Sequence, residues 1–222
     1  MSYPYPLVVF DLDGTLVDSA ADIAEALNRT LEDIGVARVP EATVLGWIGD
    51  GVRRLVEQAV HAADREVDLA EVMPVFMVHY RECLLRSPRL FDGVADALTQ
   101  LRARHVPLAI CTNKPEALVP PLLQHLGIGD AFALVLGGDS LPQRKPSGEP
   151  LRHIAAHFGL PADACLMVGD SLTDYRAAED AGMPIALVRY GYPRGLDLAT
   201  AEAVAVIDDL RELPGLAAGV RV

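Results

Sequence analysis

The chain has 222 residues, of which 51% are hydrophobic and 23% charged, and a formal net charge of −12. This composition indicates a globular protein with one core and a substantial insertion. The negative charge disfavours nucleic acid as a partner, and every apolar run is too short to span a membrane. The chain starts without a secretory signal pattern, and its three cysteines show no paired spacing. We therefore expect a cytoplasmic protein that binds neither nucleic acid nor membranes.

The first predicted element is a strand over Leu7–Phe10, which ends at Asp11-Leu12-Asp13-Gly14-Thr15. A continuous apolar run of this length is typical of a strand buried on both faces. Alternation places Asp11 and Asp13 on one side at its carboxyl end, where open α/β sheets bind ligands. One aspartate there can act as a nucleophile and the other as an acid or base. The same residues would also suit a plain turn.

The next segment, residues 18–85, shows helical periodicity and little that looks like a strand. Helices are predicted in three stretches: residues 23–34, Val52–His61 and about Leu69–Leu85. We therefore predict a separate helical unit over residues 18–87, inserted into a core that consists of residues 1–17 and 88–222.

From Phe91 onward, predicted helices and strands alternate with short connections. The helices are residues 94–104, 116–126, 150–158 and 173–181, and the strands are residues 108–111, 132–136, 165–168 and 185–188. This alternation is typical of a parallel sheet with helices on both faces. The sequence thus predicts an α/β fold with a helical insertion after its first strand.

Groups suited to phosphate follow the strand at residues 108–111. Thr112, Asn113 and Lys114 offer a hydroxyl, an amide and backbone N–H groups, although Thr or Asn also caps ordinary helices. Lys145 lies in a later loop and could reach a phosphate as a point charge. Taken alone, this loop would be an ordinary surface segment.

A second acidic pair, Asp170 and Asp174, follows the strand at residues 165–168. Together with Asp11 these carboxylates could bind Mg²⁺, which prefers oxygen ligands. A helix start that favours acidic residues would explain Asp174 well and Asp170 less well. The joint occurrence of a nucleophile, phosphate donors, a cation and metal ligands at one sheet edge favours an active site.

In order and spacing, four motifs resemble those of the haloacid dehalogenase-like hydrolase superfamily: Asp11-Leu12-Asp13-Gly14-Thr15, Thr112-Asn113, Lys145-Pro146 and Gly169-Asp170-Ser171 with Asp174. Other segments are similar to bacterial phosphoglycolate phosphatases, among them Trp47-Ile48-Gly49-Asp50-Gly51, Thr112-Asn113-Lys114-Pro115 and Tyr190-Gly191-Tyr192. The resemblance covers nearly the whole chain. It implies a Rossmann-like parallel sheet core with an inserted α-helical cap domain.

The resemblance also implies roles for the acidic residues. Asp11 would attack phosphorus and form an aspartyl-phosphate, while Asp13 would protonate the leaving group and later deprotonate water. Mg²⁺ would be held by Asp11, the backbone carbonyl of Asp13 and Asp170.

The remaining motif residues would bind phosphate or support those that do. Thr112, the backbone of Asn113 and Lys145 would hold the transferring oxygens. Ser171 and Asp174 would support these residues without binding the phosphate themselves, and Asp174 would orient Lys145 or a metal-bound water.

We expect the helical insertion to select the substrate, because the core motifs contact only its phosphate group. The loop at residues 46–51 precedes Arg53 and Arg54, and Arg53 is the candidate to clamp a substrate carboxylate. A solvated helix surface is at least as good an interpretation of each arginine.

We predict a Mg²⁺-dependent phosphatase of a small anionic phosphate ester, with hydrolysis of 2-phosphoglycolate to glycolate and phosphate favoured. Sugar phosphates and pyrophosphate remain alternative substrates. A phosphomutase is disfavoured because residues 16–30 contain no histidine. A binding module without catalysis is disfavoured because Asp11 and Asp170 are both present. The choice between monomer and homodimer stays open.

Overall fold

Strand β1 (Val8–Phe10) lies at the centre of a six-stranded sheet in the computed structural model, which describes residues 3–216. The order is β5-β4-β1-β6-β7-β8, and neighbouring strands pair in parallel. The other strands of this sheet are β4 (Leu108–Cys111), β5 (Leu134–Leu136), β6 (Leu166–Gly169), β7 (Ile185–Val188) and β8 (Ala205–Ile207). Because all strands run the same way, their carboxyl ends meet at one edge.

Helices cover both faces of this sheet. They are α5 (Val94–Ala103), α6 (Val119–His125), α7 (Glu149–His157) and α8 (Leu172–Ala181). Alternation along β1 sends Phe10 into one apolar cluster with side chains of α5 and α6. It sends Val9 into the opposite cluster, with side chains of α7 and α8. Burial on both faces explains why the strands are continuously apolar.

A two-stranded antiparallel pair marks the start and end of the helical insertion. Strand β2 (Val17–Asp18) pairs with β3 (Arg89–Leu90), so that Val17 lies opposite Leu90. The chain therefore leaves the core and returns to it at the same place. Both strands are too short and polar to give a periodic signal, and the sequence did not predict them.

Four helices lie between β2 and β3: α1 (Ala20–Asp33), α2 (Glu41–Leu45), α3 (Val52–Ala62) and α4 (Leu69–Cys83). Helix α1 packs against α2 and α4, and α3 packs against α4. Leu27, Leu31 and Phe76 are fully buried among them. We call α1–α4 and their connecting loops the cap. The α/β class with a Rossmann-like parallel core and an inserted helical cap is thereby confirmed.

Element bounds differ from the predicted ones where local chemistry interrupts the pattern. The predicted helix over residues 116–126 begins with a 3₁₀ turn at Glu116–Leu118, and α6 starts only at Val119. Pro120 and Pro121 lack N–H groups and are tolerated only in the first turn of an α-helix. Strand β8 was not predicted.

The predicted domain boundaries at residues 18 and 87 stay a prediction. Residues 1–2 and 217–222 of the predicted core lie outside the described residues. Within residues 3–216 no helix is both long and apolar enough to cross a membrane.

Candidate active site

Asp11 directly follows the central strand and is 6% exposed. Its backbone N–H donates to the carbonyl of Val168 on β6, which holds it at the sheet edge. One carboxylate oxygen, Oδ1, lies 2.8 Å from Lys145 Nζ. Burial raises the pKa of Asp11 to about 7, and repulsion by Asp174 adds to this effect while Lys145 opposes it. The carboxylate is thus poorly solvated and close to its anionic neighbours, with one lysine as counter-charge.

The second acid of the first motif, Asp13, is hydrogen-bonded by groups from two parts of the chain. Its Oδ1 accepts from Ser19 Oγ at 2.6 Å and from Lys114 Nζ at 2.8 Å. Lys114 Nζ also donates to the hydroxyl of Tyr80, a cap residue on α4, at 2.5 Å. Burial lowers the pKa of Lys114, but Asp13 and Tyr80 outweigh burial, so the net pKa is raised. Lys114 is therefore a charged ammonium buried beside Asp13.

Asp11, Asp170 and Asp174 form a buried acidic cluster, in which one carboxylate oxygen of each lies within 4.8 Å of the others. Asp170 accepts from Thr15 Oγ1 at 2.6 Å and from the backbone N–H of Tyr192 at 2.7 Å. Burial, followed by repulsion from Asp174 and Asp11, raises the pKa of Asp170 well above its usual range. Such an excess of buried carboxylate suits a hard divalent cation with oxygen ligands.

Gly14 allows this cluster to approach the first motif. Its φ is +96°, and a Cβ at this position would lie 2.3 Å from Asp170 Oδ2. Any side chain at residue 14 would therefore both strain the turn and displace Asp170. The glycine is required by the acidic site as well as by the turn.

Asp174 is fully buried, and both of its oxygens are already hydrogen-bonded. Oδ1 accepts from Lys145 Nζ at 2.6 Å, and Oδ2 accepts from Ser171 Oγ at 2.6 Å. The Ser171 hydroxyl in turn caps the start of α8. These bonds hold Lys145 beside Asp11.

The predicted phosphate-binding residues Thr112 and Asn113 are both buried after β4. Thr112 Oγ1 accepts from the backbone N–H of Lys114 at 3.1 Å, which shapes the turn. Asn113 Nδ2 donates to the carbonyls of Lys145 and of Gly49 in the cap, each at 2.8 Å. The amide side chain of Asn113 therefore ties the Lys145 loop and the cap loop to the sheet edge.

A cavity of about 40 Å³ lies between core and cap. It is lined by Asp11, Asp13, Ile23, Ile48, Gly49, Gly51, Val52, Leu55, Tyr80, Thr112, Asn113 and Lys114. Its core side thus carries the polar residues at the strand ends. Its cap side is mainly apolar, with Tyr80 as the polar exception.

A cap loop is also bound directly to the core. Asp50 accepts from Thr173 Oγ1 at 2.7 Å and from Arg194 Nη2 at 2.5 Å. The Arg194 hydrogen bond, the largest influence, lowers the pKa of Asp50 despite partial burial. The cap is thus latched over the cavity in this structure.

Arg53 is not brought to the site. Its side chain is 61% exposed, its Nε lies 3.0 Å from Glu57 Oε1, and it does not line the cavity. Val52 and Leu55, three residues apart on α3, face the cavity instead. Arg53 therefore lies on the outer face of that helix and cannot clamp a substrate in this arrangement. Lys114 and Tyr80 line the cavity. The sequence predicted Lys114 only as part of the phosphate-binding turn, through its backbone, and did not predict Tyr80.

The sequence matches the family model for haloacid dehalogenase-like hydrolases over residues 8–188. The plasmid phosphoglycolate phosphatase of Cupriavidus necator is 42% identical, covering 100% of this chain and 97% of that protein. The phosphoglycolate phosphatase of Nitrosospira multiformis is 39% identical, with 96% of each chain covered. A crystal structure of a predicted phosphoglycolate phosphatase from Haemophilus somnus superposes with a TM-score of 0.88 at 35% identity, covering 95% of this chain and 96% of that one.

Proposed function

This chain belongs to the haloacid dehalogenase-like hydrolase family and is a phosphoric monoester hydrolase acting on a small phosphate ester, and we propose that this ester is 2-phosphoglycolate. The products would be glycolate and phosphate. Relatives that match almost the full length of the chain carry the name phosphoglycolate phosphatase. The observation that carries the proposal is the small cavity, in which a buried lysine lies beside Asp13.

The size and lining of the cavity favour a short substrate. Its volume is about 40 Å³, and one enclosed water needs roughly 10–15 Å³ by the same measure, so there is room for a tail of only a few atoms. The cap contributes apolar walls through Ile48, Val52 and Leu55. A sugar tail would bury hydroxyl groups against these walls at a cost of about 1–3 kcal/mol for each unpaired group.

The proposed chemistry uses the two acids of the first motif. Asp11 attacks phosphorus and forms an aspartyl-phosphate, while the bond from phosphorus to the ester oxygen breaks. Asp13 donates a proton to that oxygen, and glycolate leaves. Asp13 then takes a proton from a water molecule that attacks the aspartyl-phosphate, which releases phosphate and restores Asp11.

Three further residues are proposed to hold the transferring phosphoryl group. Lys145 lies within ion-pair distance of Asp11 and is positioned by Asp174. Thr112 and the backbone N–H of Asn113 follow the neighbouring strand. Donors in these places would stabilise charge on the phosphoryl oxygens as it develops.

We propose Mg²⁺ as the metal, with Asp11, Asp170 and the backbone carbonyl of Asp13 as its ligands from the chain. The buried cluster of carboxylates fits a divalent cation, because Lys145 alone does not balance its charge. When bound, the ion supplies positive charge that offsets the repulsion between an anionic nucleophile and an anionic phosphate.

Phosphate release from a substrate panel tests this proposal. The panel contains 2-phosphoglycolate, ethyl phosphate, a hexose phosphate and pyrophosphate, each with Mg²⁺ and with EDTA. We expect the highest kcat/KM for 2-phosphoglycolate and a loss of activity in EDTA that added Mg²⁺ restores. A preference for a hexose phosphate or pyrophosphate would reject the substrate, and full activity in EDTA would reject the metal.

A further inference from the structure

Lys114 places an ammonium group with spare hydrogen-bonding capacity in the cavity wall. Its side chain is 0% exposed. The group carries three N–H donors, and within residues 3–216 its acceptors are Asp13 Oδ1 at 2.8 Å and Tyr80 Oη at 2.5 Å. A buried ammonium is costly unless it is paired. One N–H group of the Lys114 ammonium is therefore available to a ligand in the cavity.

Tyr80 offers a second donor at the same place. Its hydroxyl accepts from Lys114, so its own proton remains available to a ligand. The ring is 2% exposed and packs against Phe76, with 5.4 Å between ring centroids. The ring is thus fixed by packing within the cap, and its hydroxyl extends to the lysine of the core.

The first turn of α3 lies against the same cavity. Gly51 and Val52 line it, and Val52 begins a helix of 11 residues. The first N–H groups of any α-helix lack acceptors within the helix, and the helix dipole places partial positive charge there. This end of α3 adds to the preference of the wall for an anion.

The chemistry of 2-phosphoglycolate fixes where a receptor for its carboxylate must lie. The carboxylate carbon is two bonds from the ester oxygen, so with bonds of about 1.5 Å the two groups are within about 3 Å of each other. Asp13 is the residue proposed to protonate that ester oxygen. A carboxylate receptor must therefore lie next to Asp13, as Lys114 does and Arg53 does not.

We propose that Lys114 and Tyr80 form the subsite that binds the substrate carboxylate. Lys114 donates its free N–H and Tyr80 its hydroxyl proton to the carboxylate oxygens. This assignment rests on the proposed function, since it gives the glycolate tail its receptor. Because Tyr80 belongs to the cap and Lys114 to the core, the complete subsite exists only when the cap covers the core.

The test compares two substrates that differ only in the carboxylate. Wild-type enzyme with Mg²⁺ and the Lys114→Met and Tyr80→Phe variants are assayed on 2-phosphoglycolate and on ethyl phosphate, in which a methyl group replaces the carboxylate. We expect Lys114→Met to lower kcat/KM for 2-phosphoglycolate about 10- to 150-fold, the worth of a charge-assisted hydrogen bond. Tyr80→Phe should lower it about 3- to 10-fold. Because Lys114 also bonds Asp13, both substrates share any loss in the acid and base steps. The carboxylate contact is therefore measured as the fall in the ratio of kcat/KM for 2-phosphoglycolate to kcat/KM for ethyl phosphate, about 10-fold or more in Lys114→Met and about 3- to 10-fold in Tyr80→Phe.

Arg54→Met serves as the matched control. Arg54 is an exposed arginine near the cap loop, paired with Glu57, so its replacement removes a positive charge without touching the cavity. This substitution should leave the ratio of kcat/KM for 2-phosphoglycolate to kcat/KM for ethyl phosphate unchanged. A shifted ratio would attribute the preference to general electrostatic attraction and overturn the subsite.

The outcomes separate the subsite from the proposed function. Equal losses on both substrates would show that Lys114 acts through Asp13 and would overturn the subsite, as would unchanged rates in both variants. If Lys114→Met fails to fold, the Tyr80→Phe ratio decides. A wild-type enzyme that does not prefer 2-phosphoglycolate to ethyl phosphate would overturn the proposed function itself.

Discussion

Replacing Asp170 by Asn should stabilise the metal-free protein and abolish its response to Mg²⁺. Asn has the same shape, and its Oδ1 can still accept from the backbone N–H of Tyr192. Its Nδ2 would face Thr15 Oγ1, a hydroxyl that can rotate to accept. The substitution therefore removes one buried negative charge while it preserves the local hydrogen bonds.

The size of the effect follows from the spacing of the acidic cluster. The carboxylate oxygens of Asp11, Asp170 and Asp174 lie within 4.8 Å of one another. At that distance two like charges repel by about 3 kcal/mol with an effective dielectric constant of about 20. Asp170 meets two such neighbours, Lys145 offsets part of the repulsion, and proton uptake limits the rest. We expect the free energy of unfolding of Asp170→Asn to exceed that of wild type by about 2–4 kcal/mol in EDTA at pH 8. Each kcal/mol should raise Tm by about 2–4 °C.

The pH dependence has a definite sign. Burial raises the pKa of Asp11 to about 7 and that of Asp170 well above its usual range. The folded protein then binds protons that the unfolded chain releases near pH 4. In EDTA, wild-type stability should therefore fall as pH rises from about 4 through 7. The Asp170→Asn variant should show a shallower fall.

Thermal and urea unfolding of both proteins at pH 5.5 and pH 8, with EDTA or Mg²⁺, checks this reasoning. Wild-type Tm should rise with Mg²⁺, because a ligand that binds only the folded state stabilises it. The variant should not respond. If the variant were less stable than wild type in EDTA at pH 8, the inferred net repulsion among the carboxylates of the cluster would be wrong.

Two further predictions separate the reaction from the position of the cap. Asp11→Asn should form no phosphoenzyme, whereas Asp13→Asn should slow turnover about 10²- to 10⁴-fold; rapid-quench labelling with hydroxylamine release measures both, and near-normal turnover in Asp11→Asn would contradict the covalent mechanism. Arg194→Met removes the ion pair with Asp50 that holds the cap loop against the core. We expect kcat/KM to fall about 5- to 30-fold, the worth of a partly exposed charge-assisted hydrogen bond. An unchanged value would remove Arg194 from any role in cap closure.

Long apolar runs made the core predictable from sequence. Strands β4 and β7 have the predicted bounds, because four buried residues in a row leave little choice of structure. The predicted convergence of polar residues after β1, β4 and β6 follows from the geometry of a parallel sheet. The pair β2–β3 has only two residues in each strand, and its formation depends on distant chain segments meeting.

Long-range contacts explain what the sequence did not predict at the site. Lys114 adjoins the predicted phosphate motif, yet its partner Tyr80 is 34 residues away on a cap helix. Nothing in the local pattern around either residue indicates this contact. Arg53 was a plausible candidate because it follows the cap loop, but the side that it occupies on α3 depends on how that helix packs.

Contacts between cap and core join substrate selection to the chemistry. Tyr80 reaches Lys114, which bonds Asp13, and Asn113 bonds the cap at Gly49. With the cap in this position, its contacts lie beside the acid and the phosphate-binding turn, and the cavity between cap and core is small. A substrate whose tail prevents closure would lose these contacts together. On the proposed function, discrimination between substrates should consequently appear in kcat as well as in KM.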